Sequence, residues 1–281
     1  MYDAVVVSAR CSGSPTAMLL ARKGYRVLLV DRAAFPSDSI RNPFIQHSGV
    51  AQLNRWGLLP RVITSNCPPI RDFATDLGDF PLRVPVEQGN GVDANYAPRR
   101  VVLDKILVDA AVAAGVELRE RFTVHGLLWD DHRVVGIRGR ANGGQMVSEH
   151  ASIVIVADGV HSVVARAIEA PQYSERPALT YAYYSYFSDV PVDGVEIWLR
   201  SWGPTSISRR MMGSPASRFR RRLRASTPFV PTSRGISIRR WMPCPNWPSA
   251  SAQAVGRSAG TARRTSRTSY ASPWTGLGAR R

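Results

Sequence analysis

The segment Ala4-Val5-Val6-Val7-Ser8-Ala9-Arg10-Cys11-Ser12-Gly13-Ser14-Pro15 changes its pattern twice within a few residues. Ala4–Val7 is a short apolar, β-branched run, which predicts a strand buried on both faces. Ser8–Gly13 is a turn of mostly small residues. Ser14–Lys23 then carries Ala17, Leu20 and Ala21 at helical spacing and stops at Gly24. Tyr25–Val30 is a second buried strand, ending in Asp31-Arg32. Strand, helix and strand form a βαβ unit, and its right-handed crossover makes the two strands parallel.

Working outward, Val50–Trp56 predicts a helix stopped by Gly57, and Ile70–Val86 alternates in a way that suits antiparallel strands. Arg99–Ala114 predicts an amphipathic helix, with Val102, Leu103, Ile106, Leu107 and Ala110 on one face. Val116–Arg119, Thr123–Asp130 and Val134–Gly139 read as strands. Ser152–Val156 is an apolar strand ending in Ala157-Asp158-Gly159, and Val163–Ile168 is a short helix. Thr180–Ser188 and Val195–Leu199 read as aromatic-rich strands. The fold class is α/β: a Rossmann-like domain with a mixed sheet and a fragment of an antiparallel second sheet. The expected domains are 1–70 with 97–172 for the Rossmann-like part and 71–96 with 173–200 for a partial substrate-domain sheet. Residues 201–281 form a mostly irregular, disordered tail in this reading.

The turn Ser8–Gly13 sits where a dinucleotide fold places a pyrophosphate. N–H groups at the start of the first helix point at the phosphates, and the helix dipole favours their charge. Asp31, at the end of the second strand, is placed to accept from ribose hydroxyls. The full fingerprint has three glycines, whereas here Ser8 and Arg10 take the first two positions and Gly13 the third. Ser8 brings a Cβ to a place suited to positive φ, and Arg10 either contacts a phosphate or obstructs it. A plain scaffold that binds nothing gives the same pattern, so both readings stand on these residues alone.

Two further segments narrow the choice. Arg100-Val101-Val102-Leu103-Asp104 and Val156-Ala157-Asp158-Gly159-Val160-His161-Ser162, taken with Val5–Pro15, resemble three motifs of one superfamily. It is the para-hydroxybenzoate hydroxylase-like superfamily of flavin-dependent monooxygenases and geranylgeranyl reductases. Phe35-Pro36-Ser37-Asp38 and Leu53–Leu59 also resemble it, and the likeness covers about residues 2–200. The resemblance implies an FAD-binding fold, with NAD(P)H as electron donor and a small hydrophobic organic substrate. It implies a cofactor site at Ser8, Ala9, Arg10, Gly13, Ser14, Asp31, Arg32, Arg100, Asp158 and Gly159. The departures are Ser8 and Val156, where the family carries Gly. Asp158 is equally suited to cap the helix after it, and Arg100 to lie solvated at a helix start. No catalytic residue is nominated, because the cofactor carries the redox chemistry in such enzymes.

Charge divides the chain. The total is +16, from 37 Lys+Arg and 21 Asp+Glu. Residues 1–200 hold 21 of each sign, while residues 201–281 hold 16 Arg and no Lys, Asp or Glu. The whole excess lies in the tail, which also holds 14 Ser, 8 Pro and four of the seven Trp. Three readings of it stand: a basic nucleic-acid-binding tail on an inactive Rossmann module, an arginine-rich linker, or GC-rich coding sequence read in the wrong frame. Shifting the frame by one base lets Ser208–Pro215 become PTNDGLT, in which Met211-Met212-Gly213 force the DG. The same shift forces DA from Trp241-Met242-Pro243 and LA from Asn246-Trp247-Pro248. The reframed strings resemble the second half of the same superfamily, so a frameshifted, truncated and impaired enzyme is the expected state. No specific nucleic-acid partner is expected.

Other classes are disfavoured. Cys11, Cys67 and Cys244 form no CxxC pair and no Cys/His cluster, which argues against disulfides and metal. His47, His125, His132, His150 and His161 show no metal spacing. No apolar run reaches membrane-spanning length. No signal peptide is expected at the N-terminus, which leaves a cytoplasmic location as the expectation.

Overall fold

The computed structural model describes residues 1–38, 44–174, 182–188, 194–200, 203–208 and 220–226. In chain order the elements begin with β1 (Tyr2–Val7), α1 (Gly13–Arg22), β2 (Val27–Val30), α2 (His47–Arg55) and α3 (Leu59–Ile63). Next come β3 (Pro69–Ile70), β4 (Asp72–Asp76), β5 (Pro81–Pro85), β6 (Asn95–Tyr96) and α4 (Arg100–Ala113). They are followed by β7 (Glu117–Arg119), β8 (Phe122–Asp130), β9 (Arg133–Ala141), β10 (Val147–Val156) and α5 (Val163–Ala167). The last are β11 (Ala182–Ser188), β12 (Val195–Arg200), β13 (Gly203–Ser208) and β14 (Arg220–Ser226). β13 and β14 arise within the segment expected to be irregular, and its remainder lies outside the described residues.

Two units emerge. The first comprises Met1–Arg71 and Val86–Tyr173, and it is built on a six-stranded sheet in the order β7-β2-β1-β10-β9-β8. β1, β2, β7 and the second half of β10 run parallel, as the βαβ reading requires. Alternation along the strands explains why Ala4–Val7 of β1 and all of β2 are apolar. Ala4, Val6, Val27 and Leu29 join one buried cluster with Ala17 and Met18 of α1 and Leu103, Ile106 and Leu107 of α4. Val5, Val7, Leu28 and Val30 join another with Phe122, Ile137, Ala151 and Val164. Burying one such side chain stabilises by roughly 1.5–3 kcal/mol, so this two-sided sheet is a large store of stability.

β10 is shared between two ladders. Val147–His150 pairs antiparallel with β9, and Ala151–Val156 then runs parallel to β1. Among the described residues no strand pairs with the other edge of Ser152–Val156. Ile153 is 54% exposed and Val156 39%, although the segment reads as wholly apolar. The Arg133 guanidinium donates to the Ser152 carbonyl at 3.0 Å and so covers one group of this edge.

The second unit contains Asp72–Pro85 and the strands after Tyr173. Its sheet has the order β11-β14-β13-β12-β4-β5. β12 lies parallel to β4, and the other neighbours are antiparallel. The β4–β5 hairpin is tied by an Arg83–Asp72 ion pair at 2.7 Å, while every residue of β5 is exposed. Among the described residues no helix is long and apolar enough to cross a membrane.

Candidate cofactor site

The turn after β1 keeps the path of a glycine turn without its first glycine. Ser8 has φ of 86°, in the left-handed region, where a Cβ is strained. Two contacts offset this. The Ser8 N–H donates to the Val30 carbonyl at 2.8 Å, and its Oγ donates to Asp31 Oδ2 at 3.1 Å. Gly13, which opens α1, is sterically obligatory. A Cβ there would lie 1.8 Å from the Ser8 carbonyl oxygen and 3.3 Å from the Ala157 Cβ. That close approach brings the turn, the start of α1 and the Ala157-Asp158-Gly159 segment together.

The N-terminus of α1 is not neutralised from within. Its N-cap, Ser12, makes no side-chain cap, and no acid lies in its first turn. Ser14 is fully buried, with its Oγ lacking a hydrogen-bond partner. A helix start of this kind presents N–H groups and partial positive charge to an anion.

Asp31 is buried, at 5% exposure. Its Oδ2 accepts from Ala9 N at 2.8 Å and from Ser8 Oγ, and its Oδ1 accepts from Ala33 N at 2.8 Å. A carboxylate offers about four acceptor positions. Three are used in shaping the turn, which leaves room for a single further donor. Arg32 beside it is exposed.

Arg10 and Arg100 converge on one buried carboxylate. Asp104 is wholly buried on the apolar face of α4. Arg100 grips its Oδ1 through Nε at 3.0 Å and Nη2 at 2.8 Å, and also reaches Oδ2 at 3.1 Å. Arg10 Nη1 donates to Asp104 Oδ2 at 2.8 Å, and its Nη2 donates to Ser37 Oγ at 3.1 Å. The Arg10 guanidinium also stands 5.5 Å from the Phe35 ring centroid. An Arg99–Asp38 ion pair ties the same loop to the start of α4. Cys11 is exposed as a residue, but its Sγ lies 3.6 Å from Asp104 Oδ1, and partial desolvation of the thiol pushes its pKa up to about 11, with Asp104 adding to the rise.

The third motif faces the start of α1. Asp158 Oδ2 accepts from Val163 N at 2.9 Å, and Ser162 Oγ caps α5 through Ala165 N at 2.9 Å. Asp158 therefore does cap the helix, but its Oδ1 is buried and has no partner. A cavity of about 420 Å³ is lined by Ser12, Val156, Ala157, Asp158, Gly159, Ser162 and Ala165.

Ser8, Ala9, Arg10, Gly13, Ser14 and Asp31 thus gather at the turn, and Asp158 and Gly159 flank the cavity at the start of α1. Arg100 is turned inward onto Asp104. Asp104, Ser37 and Phe35 stand in segments that carry the resemblance, but sequence reasoning gave them no place in the site. The signal for Asp104 was its i,i+4 spacing from Arg100.

Comparison with known proteins supplies the family. Residues 1–274 match the family described as FAD binding domain. Digeranylgeranylglycerophospholipid reductase of Methanocella arvoryzae is 30% identical over 166 residues, which cover 59% of this chain and 41% of that protein. Protein FixC of Salmonella typhimurium is 30% identical over 181 residues, covering 60% of this chain and 39% of its own. The chain thus spans about two fifths of the length of these curated relatives. Among solved structures, PqsL of Pseudomonas aeruginosa, described as a probable FAD-dependent monooxygenase, superposes with a TM-score of 0.65 at 19% identity. That superposition covers 81% of this chain and 60% of PqsL. A geranylgeranyl bacteriochlorophyll reductase-like protein of Thermoplasma acidophilum gives 0.62 at 21% identity, covering 80% of this chain and 56% of that one. With the match running through all three motifs, the chain belongs to the FAD binding domain family, within the para-hydroxybenzoate hydroxylase-like and geranylgeranyl reductase superfamily of FAD-dependent oxidoreductases.

Proposed function

We propose that the first unit is an FAD-holding oxidoreductase module, with NAD(P)H as electron donor and a small hydrophobic organic molecule as substrate. The observation that carries this is the approach of Gly13 to the Ser8 carbonyl, which leaves no space for a Cβ. That approach builds the uncapped α1 terminus that a pyrophosphate requires. The orphaned, buried Ser14 Oγ and Asp158 Oδ1 fit a bound polar ligand, since buried polar atoms are otherwise paired.

When bound, FAD supplies the two-electron redox chemistry. The chain's own residues bind and orient it. The first turn of α1 takes the phosphates. Asp31, with one acceptor position left, takes one ribose hydroxyl rather than two. Asp158 and Gly159 border the cavity, whose wall at Val156 is apolar. The assignment of NAD(P)H and of the substrate class rests on the superfamily resemblance of the sequence motifs.

Residues 201–281 are part of the same proposal. Their 16 Arg and absence of acids fit a shifted reading frame, so we expect weak FAD retention and low turnover from this chain. Flavin fluorescence titration of the purified protein tests the FAD reading, and NAD(P)H oxidation tests the donor. Saturable binding with little oxidation is expected. No binding at millimolar FAD overturns the module. Codons incompatible with PTNDGLT at Ser208–Pro215 overturn the frame reading.

A further inference from the structure

Arg100 occupies the motif position from which the superfamily resemblance brings an arginine to the cofactor, yet here it is committed elsewhere. Its Nε and Nη2 both point at Asp104, and its side chain is only 11% exposed. Arg10 stands in a different position. It uses one donor on Asp104 and one on Ser37, keeps three of its five N–H groups, and is 29% exposed. The two guanidiniums share one carboxylate, so the group carries one positive charge in excess. That excess stands at the starts of α1 and α4, whose dipoles add to it.

On the reading that the first unit holds FAD, we infer that Arg10 is a specificity-determining residue of the site, the guanidinium that recognises the pyrophosphate. Arg100 is a positioning residue that holds Asp104, and through it Arg10. Arg10 does not obstruct the turn, because Asp104, Ser37 and the Phe35 ring draw its head group toward α4 and the loop after β2. Two phosphates carry the charge that the excess guanidinium lacks. A flavin or nucleoside without phosphates gains nothing from Arg10. The side chain thus selects nucleotide over nucleoside at a position where the fingerprint has glycine.

The test uses the full chain and three probes: FAD, ADP and riboflavin, titrated by fluorescence or calorimetry at low and high salt. Arg10→Met keeps the stem and leaves Asp104 bound by Arg100, so the variant retains its fold, which a thermal melt verifies. FAD and ADP should each bind about 10- to 100-fold more weakly, as expected for loss of a charge-assisted bond. Their salt dependence should become shallower, while riboflavin is unaffected. Arg10→Lys should recover part of the loss. Arg100→Met should lower the thermal midpoint more than Arg10→Met and the FAD affinity less.

Unchanged or tighter FAD binding by Arg10→Met overturns the inference and leaves the FAD module standing. A larger affinity loss from Arg100→Met than from Arg10→Met overturns the division of roles. A parent chain that binds neither FAD nor ADP overturns the module itself, and the inference with it.

Discussion

The two sheets have six strands each and differ in how the described strands are covered. In the first unit, alternate residues of β1 and β2 feed two buried clusters, and Leu28 and Leu29 are both fully buried. In the second unit, Leu82 and Val84 of β5 are each 47% exposed, and the described buried clusters include none of its residues. Backbone ladders hold both; in the first sheet burial on two sides adds to them, whereas β5 is exposed along its whole length. The stability and the ligand site of the first unit therefore share one set of residues. A change in the first unit should be felt in binding and folding together, while a change in the β4–β5 hairpin should be felt in neither.

The sharpest way to break this contrast is Gly13→Ala. The added Cβ overlaps backbone rather than a flexible side chain, so about 4 kcal/mol or more of stability should be lost. FAD binding should vanish with it, as read by chemical denaturation and flavin titration. Retained binding with an unchanged midpoint would refute the tight cradle. Next in size is a matched pair. Leu29→Ala should cost about 3 kcal/mol and Leu82→Ala under about 0.5 kcal/mol in denaturant melts. Equal losses would show that the two sheets are not differently covered.

A smaller effect concerns acid. The Tyr2 hydroxyl donates to Glu117 at 2.7 Å and holds its carboxyl below the usual range, with Arg119 adding to the effect. A depressed folded value stabilises the fold above the unfolded carboxylate range and is lost as pH falls through the folded value. Tyr2→Phe should therefore be less stable than the parent at neutral pH, and the gap should close below about pH 4. A gap that persists at low pH would remove Glu117 from the account. Smallest is Ser8→Gly. Relief of the positive φ and loss of the bond to Asp31 should nearly cancel, within about 1 kcal/mol. The variant should hold FAD slightly more tightly, because it frees one acceptor position on Asp31.

The βαβ unit was legible because its signals are local: a buried strand, a small-residue turn and a helix follow one another within a single stretch. The turn's glycine-like path was legible too, since Ser8 stands where positive φ was expected. Asp104 was not, because an acid in an amphipathic helix reads as solvated. Its burial is matched by Arg100 one turn earlier and by Arg10, which lies 94 residues earlier in the chain. Ser152–Val156 reads as an apolar strand, yet Ile153 and Val156 are exposed. Composition reveals that a strand is apolar and says nothing of which edge has a neighbour. The second sheet was harder still, since its β12–β4 pairing joins Val195 to Phe73, far apart in the sequence.

Among the described residues the edge of β10 along Ser152–Val156 has no neighbouring strand, and this has a practical cost. Ile153-Val154-Ile155-Val156 is β-branched, uncharged and free of proline, and such an edge templates the addition of strands from other molecules. Handling of this protein should therefore depend on concentration. Dilute preparations should stay clear, and concentrated ones should scatter light, with a lysine placed at Ile153 as the simplest remedy.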